Sequence, residues 1–147
     1  LGLHGVYVAA GYNHQSNGRS NPFSRSWNRI VFQAGWENEH WSIVFNPWIR
    51  IQEEAMEDNN PDIENFVGRA ELLAAFSKKR HNVSLALRHS LNGGSNSRGS
   101  LRLDYAIGVF DNLYLTAQLF HGYGENLIDF NHKQTTLGLG LSLVRWR

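Results

Sequence analysis

Cysteine is absent from the 147 residues. That excludes a disulfide framework, thiolate metal sites and a cysteine nucleophile. An excess of one charge is also lacking: 14 basic and 13 acidic residues leave a formal net charge of +1, too little to draw a polyanion, so no nucleic-acid partner is expected. Although 41% of the residues are hydrophobic, no run approaches the roughly 18 apolar residues of a membrane-spanning helix, which excludes a helical membrane protein. The chain opens on Leu1 rather than Met. It shows no basic segment followed by an apolar one, and the expectation is a processed product or, preferably, a piece of something longer.

What the chain has in abundance is alternation with a period of two, the signature of strands with two different faces. Val6, Val8, Ala10 and Tyr12 share one parity. Ile30, Phe32, Ala34 and Trp36 oppose Arg25, Arg29, Gln33 and Glu37; Trp41, Ile43, Phe45, Pro47, Ile49 and Ile51 oppose Ser42, Asn46, Arg50 and Gln52. Further runs begin at Phe66, Val83, Leu101, Leu113 and Leu137, the first of them taking in Gly68, Ala70, Leu72, Ala74 and Phe76. The expected fold is all-β, one domain over 1–147 with about eight strands of roughly ten residues, the length a tilted strand needs to cross a bilayer.

The connections alternate as well. ENEH (37–40), KKRH (78–81) and FDN (110–112) are short, whereas NGRSNPF, EEAMEDNNPDIEN, SLNGGSNSRG and GYGENLIDFN are long. Short turns at one end and long loops at the other characterise an antiparallel transmembrane β-barrel, and Trp36, Trp41, Tyr105 and Phe110 fall near the short-turn ends, where an aromatic girdle belongs. A soluble barrel or sandwich would bury its apolar parity as a core. Here Arg, Glu, Asp and Gln recur on the other parity in mid-strand, which suits a hydrogen-bonded interior inside a lipid-facing shell.

One stretch, YNHQSNGRSNPFSRSWNRI (12–30), carries chemistry. His14 and Ser16 are two apart on a strand and therefore share the face of Val6 to Tyr12. Histidine suits the role of base for a serine nucleophile, and such a base needs a third group to fix its tautomer. If strands 3–16 and 24–37 form a hairpin centred on residue 21, His14 lies opposite Asn28 and Ser16 opposite Ser26, close enough to interact. Ser20 and Ser26 are the competing hydroxyls. His4, His40, His81, His89, His121 and His132 show no metal-ligand spacing. The acidic loop 53–65 lacks the calcium-loop template and is expected to be a solvated loop.

The run GYNHQSNGRSNPFSRSWNR resembles the signature of outer membrane phospholipase A, as do PWIR (47–50), NPDI (60–63) and GYGENLIDFN (122–131). The resemblance spans nearly the whole chain. It implies a twelve-stranded barrel in the outer membrane of a Gram-negative bacterium, hydrolysing acyl esters of phospholipids as a calcium-dependent homodimer with its site on the lipid-facing wall. Carried over by motif, Ser16 is the nucleophile, His14 the general base and Asn28 the residue that orients the imidazole. The backbone carbonyl of Arg19 and the hydroxyl of Ser24 hold Ca2+, whose bound waters serve the oxyanion together with the Ser16 amide. About four N-terminal strands, and with them the partner-subunit calcium ligand, lie outside this sequence, so the chain is expected to be the C-terminal portion. Asn21 and Asn59 stand where relatives often have Asp, which weakens any accessory calcium site.

Two further readings compete. A non-catalytic outer-membrane barrel, either a channel or a degenerate homologue, would keep the motif for structure only. In that comparison, pairing among Arg25, Arg29, Arg50, Arg69, Glu71, Arg88, Arg102 and Asp104 would plug the interior rather than leave a pore. A soluble lectin-like sandwich would need a second sheet over the apolar face.

Overall fold

Alternation becomes eight antiparallel strands in the computed structural model, which describes residues 5–143. His4 and the expected start of the first strand at residues 3 and 4 lie outside the described residues. In chain order the strands are β1 (Gly5–Ser16), β2 (Ser26–Glu37), β3 (Trp41–Ile51), β4 (Ala70–Lys78), β5 (His81–His89), β6 (Gly99–Phe110), β7 (Leu113–Gly122) and β8 (Gln134–Ser142). Each pairs with its successor in one meander. The short links are 38–40, 79–80 and 111–112, and the long ones are 17–25, 52–69, 90–98 and 123–133. Long and short connections thus strictly alternate between the two ends of the sheet.

Among the described residues β1 and β8 do not pair, so the sheet is not closed. Each edge presents a row of backbone donors and acceptors that needs another strand, above all in lipid, where no water can satisfy it. The outer face is apolar and open: Val8 is 80% and Leu139 88% exposed, and Ile30, Phe32, Phe45, Ile49 and Leu103 face the same way. No second sheet covers this face among the described residues, as the sandwich reading would require. Trp41 packs against Phe76 near the short-turn end, with ring centroids 4.8 Å apart and planes tilted by 49°, and Trp36, Tyr105 and Phe110 are exposed at that same end.

The inner face is polar and internally paired. Arg88 Nε donates to Glu71 Oε2 across β4 and β5 at 2.5 Å. Arg102 reaches Asp104 at 3.2 Å, and the Gln33 amide donates to Asn46 Oδ1 at 2.9 Å. The Arg29 guanidinium lies 3.9 Å over the Trp27 ring. These pairs cross the interior between neighbouring strands, while a cavity of about 1170 Å³ lined by Ser42, Ser84, Arg102, Asp104, Thr116 and Gln118 remains toward the short-turn end.

Two departures from the sequence reading concern the long-loop end. The run expected to begin at Phe66 starts as a strand only at Ala70; Phe66 belongs to a single helical turn, α1 (Glu64–Val67), and Gly68 follows with φ at 109°. A Cβ at Gly68 would stand 2.7 Å from the His89 carbonyl oxygen, so the close approach of two chains breaks the alternation there. The acidic loop is also not merely solvated. Ile63 and Val67 join Trp27, Trp48 and Phe130 in a buried cluster, with Trp27 and Ile63 wholly inaccessible. Trp27 and Trp48 meet edge to face at 6.3 Å. The apolar core therefore sits inside one end of the sheet, directly behind the hairpin that carries His14 and Ser16.

Candidate active site

The β1–β2 hairpin fixes the site. Its register pairs His14 with Asn28 and Ser16 with Ser26, as a hairpin centred on residue 21 requires. His14, Ser16 and Asn28 therefore share the parity of Val8, Ile30 and Phe32, on the outward face. His14 Nδ1 and Asn28 Oδ1 are 2.8 Å apart. An amide oxygen only accepts, so this contact requires hydrogen on Nδ1 and leaves Nε2 with its lone pair free. Ser16 lies two residues on, at the last position of β1, exposed on the same face as the imidazole. A hydroxyl, an imidazole and a group that holds the imidazole are the parts that nucleophilic acyl chemistry uses; the hydrogen bond present is the one between His14 and Asn28, and Ser16 shares their face without a hydrogen bond to the ring.

Two neighbours of Asn28 were not anticipated. The Tyr12 hydroxyl donates to Asn28 Oδ1 beside His14, and Asn28 Nδ2 donates to Glu53 Oε1 at 2.9 Å. Tyr12 was legible as an outward residue two before His14. Glu53 was legible only with the β2–β3 register in hand, because Asn28 pairs with Ile51 and Glu53 follows two residues later.

Loop 17–25 closes the hairpin around Asn17, another residue that sequence reasoning missed. Asn17 Oδ1 accepts from the Arg19 and Arg25 amides at 3.2 and 3.1 Å, and its Nδ2 donates to the Phe23 carbonyl at 2.8 Å. This bracing brings Arg19 and Ser24 into one loop beside Ser16. Arg25, expected on the inner wall, instead spans the loop, donating to the carbonyls of Pro22 and Ser24 at 3.1 and 2.6 Å. The acidic loop braces the hairpin from behind. The Ser26 amide donates to Asn59 Oδ1 and Asn60 Oδ1 at 3.2 and 3.1 Å, while Asn59 Nδ2 donates to Ser24 Oγ at 3.2 Å. Among the described residues no group of three His, Cys, Asp or Glu side chains could hold a metal ion, so any cation here would rest on carbonyl and hydroxyl oxygens.

Comparison with known proteins identifies the family. A family model described as Phospholipase A1 matches residues 1–143. The phospholipase A1 of Escherichia coli K12 is 38% identical over 136 residues, covering 92% of this chain and 45% of that protein. That of Salmonella typhimurium is 37% identical with the same two coverages, 92% and 45%. The chain thus spans under half the length of these relatives. Among solved structures, a Salmonella typhi outer membrane phospholipase dimer with bound calcium superposes with a TM-score of 0.81 at 35% identity, over 93% of this chain and 51% of that one. Escherichia coli outer membrane phospholipase A gives 0.82 at 35% identity with the same coverage, 93% and 51%. A form of it carrying an asparagine-to-alanine change in its active site gives 0.82 at 34%.

Proposed function

The chain belongs to the phospholipase A1 family, and on that premise we propose that it carries the catalytic wall of a phospholipase in the outer membrane of a Gram-negative bacterium. The unpaired edges of β1 and β8 are completed in this reading by strands outside the chain, giving a closed barrel. The single observation that carries the activity is the 2.8 Å contact of His14 Nδ1 with Asn28 Oδ1 on the outward face that also bears Ser16. Ser16 Oγ attacks the acyl carbonyl of a phospholipid while His14 Nε2 takes its proton and then delivers it to the leaving lysophospholipid oxygen. Water, deprotonated by the same imidazole, releases the fatty acid from Ser16 and restores the serine. Asn28 keeps the ring in the required tautomer throughout.

Asparagine orients an imidazolium without neutralising it, and the developing oxyanion also needs positive charge nearby. The Arg19 carbonyl and Ser24 Oγ are oxygen donors of the type calcium accepts. Their chemistry fits such an ion: Asn17 Oδ1 holds the Arg19 amide on the N-terminal side of that carbonyl, and the Asn59 amide holds Ser24 Oγ in place while leaving one of its lone pairs open. When bound, calcium supplies positive charge at the oxyanion. Asn21 and Asn59 weaken any accessory calcium site; at Arg19 and Ser24 the remaining ligands come from water and from the second subunit of a homodimer, the assembly in which the Salmonella typhi relative was solved with calcium.

The test is fatty-acid release from phospholipid–detergent micelles by the full-length barrel, with calcium and with a chelator. Release that stops on chelation and returns with added calcium is the expected result. Undiminished release under chelation would remove the calcium assignment. No release by a folded, dimeric barrel would favour the non-catalytic outer-membrane barrel instead.

A further inference from the structure

We propose that Glu53 is a fourth, positioning member of the site, acting on His14 through Asn28; this rests on the catalytic reading above. An amide side chain is symmetric in shape but not in chemistry. One end only accepts hydrogen bonds and the other only donates, and nothing covalent decides which end faces the histidine. If Asn28 turned over, its NH2 would face His14 Nδ1 and select the opposite tautomer, with Nδ1 unprotonated and hydrogen on Nε2. That form cannot accept the Ser16 proton.

Glu53 decides the matter. Its carboxylate is an acceptor without hydrogen, and it meets the far end of Asn28 at 2.9 Å. A turned Asn28 would set its carbonyl oxygen against that carboxylate and lose the hydrogen bond, so the carboxylate forces NH2 outward and the oxygen toward His14. Tyr12, whose hydroxyl donates to the same oxygen, works in the same sense. Tyr12 alone is a weaker constraint, because a hydroxyl can also accept from an NH2 by rotating. Glu53 is half-buried while residues 54–57 beside it are exposed, so this acidic side chain, just ahead of the turn that begins at Glu54, is folded back against the hairpin.

Its charge adds a second effect. The imidazolium formed during reaction faces a neutral oxygen, and a carboxylate on the other end of that amide polarises it and places negative charge one residue away. At an apolar outer wall such a field is screened less than in water. The Ser-His-Asn site thereby recovers, at one remove, the carboxylate that asparagine lacks.

Steady-state hydrolysis of phospholipid micelles by the full-length barrel, in a double-mutant cycle of Glu53→Gln and Asn28→Asp, tests this. Glutamine can accept from Asn28 or donate to it, so it no longer dictates the amide's direction. Glu53→Gln alone is expected to lower kcat about tenfold, the scale of outer partners that fix a histidine's tautomer, with KM unchanged. In the Asn28→Asp background the sign should reverse: two carboxylates now face each other, and Glu53→Gln relieves the clash and raises kcat. A loss of similar size in both backgrounds would mean that Glu53 merely supports the loop, and no loss in either would mean that it is idle; both overturn the proposal. The 15N shifts of the His14 ring in the folded barrel give a readout independent of turnover. They should report Nδ1–H in the wild type and a tautomer mixture in Glu53→Gln, and an unchanged tautomer would refute the assignment. If the wild type shows no Ser16-dependent hydrolysis, the catalytic reading fails, while the ring nitrogens still answer the question about Glu53.

Discussion

Ser16→Ala in the full-length barrel is expected to lower phospholipid hydrolysis by roughly 10⁶-fold, the scale found when a serine nucleophile is deleted from a triad. His14→Ala should fall in the same range, and the double variant should be no slower than either single one, because nucleophile and base act as a unit. Both side chains lie exposed on the outer face and make no contact with the buried cluster. Heat-modified electrophoretic mobility and detergent-solubilised circular dichroism should therefore match the wild type. Asn28→Ala should be milder, since Tyr12 remains beside the ring and orientation contributes less than nucleophilicity. Rates near wild type in Ser16→Ala would show that Ser20, Ser26 or some other group is the nucleophile.

The second large effect concerns stability. Arg50 and Asp58 form an ion pair at 2.8 Å whose side chains are 0% and 6% exposed. Both Asp58 oxygens lie 2.8 Å from Arg50 Nη2, Nη1 donates to the Pro61 carbonyl at 2.8 Å, and Asp58 Oδ1 also accepts from the Asn60 amide at 3.0 Å. Arg50→Ala strands a carboxylate in the interior and should cost about 3–5 kcal/mol in reversible urea unfolding of the barrel in lipid or detergent. Replacing both partners with apolar residues of similar size, Arg50→Met with Asp58→Leu, should recover most of that loss. A cost below about 0.5 kcal/mol for Arg50→Ala would show that the acidic loop is free to leave the interior. The pair also reaches the site indirectly, because the same loop supplies Asn59 and Asn60 to the Ser26 amide and Glu53 to Asn28.

How much of this could be read in advance depends on the range of the interaction. Outward and inward faces followed from parity, and the meeting of His14 with Asn28 followed from the centre of one hairpin, because a two-residue period leaves a register little freedom once a face is fixed. The same parity placed Trp27 and Trp48 on the polar face and gave no hint that they would anchor a core there. That core forms only because the acidic loop and residues 127–130 fold back over them, a decision made by chain segments far apart in sequence. Phe66 kept the strand parity yet belongs to a helical turn that packs against Tyr123 and Phe130 at 5.4 and 5.8 Å. Composition of a loop records its polarity; it does not record which single apolar residue, here Ile63, turns inward. Glu53 and Asn17 were invisible for the same reason, since each earns its place by one long or bent contact rather than by a repeating pattern.

The β1–β2 register has a kinetic consequence for folding. Ser16, His14 and Asn28 span fifteen positions of one hairpin, so the contact order of the reacting groups is very low even though the sheet as a whole is assembled from eight strands. Local pairing of this kind forms on a microsecond scale, long before distant edges can find one another. If the β1–β2 hairpin closes first, His14 and Asn28 meet before loop 52–69 packs behind them, and pulse-labelled hydrogen exchange during refolding is expected to protect β1 and β2 earliest. Substitutions in β4 to β8 should therefore change the stability of the sheet without disturbing the register that sets Ser16, His14 and Asn28 on one face.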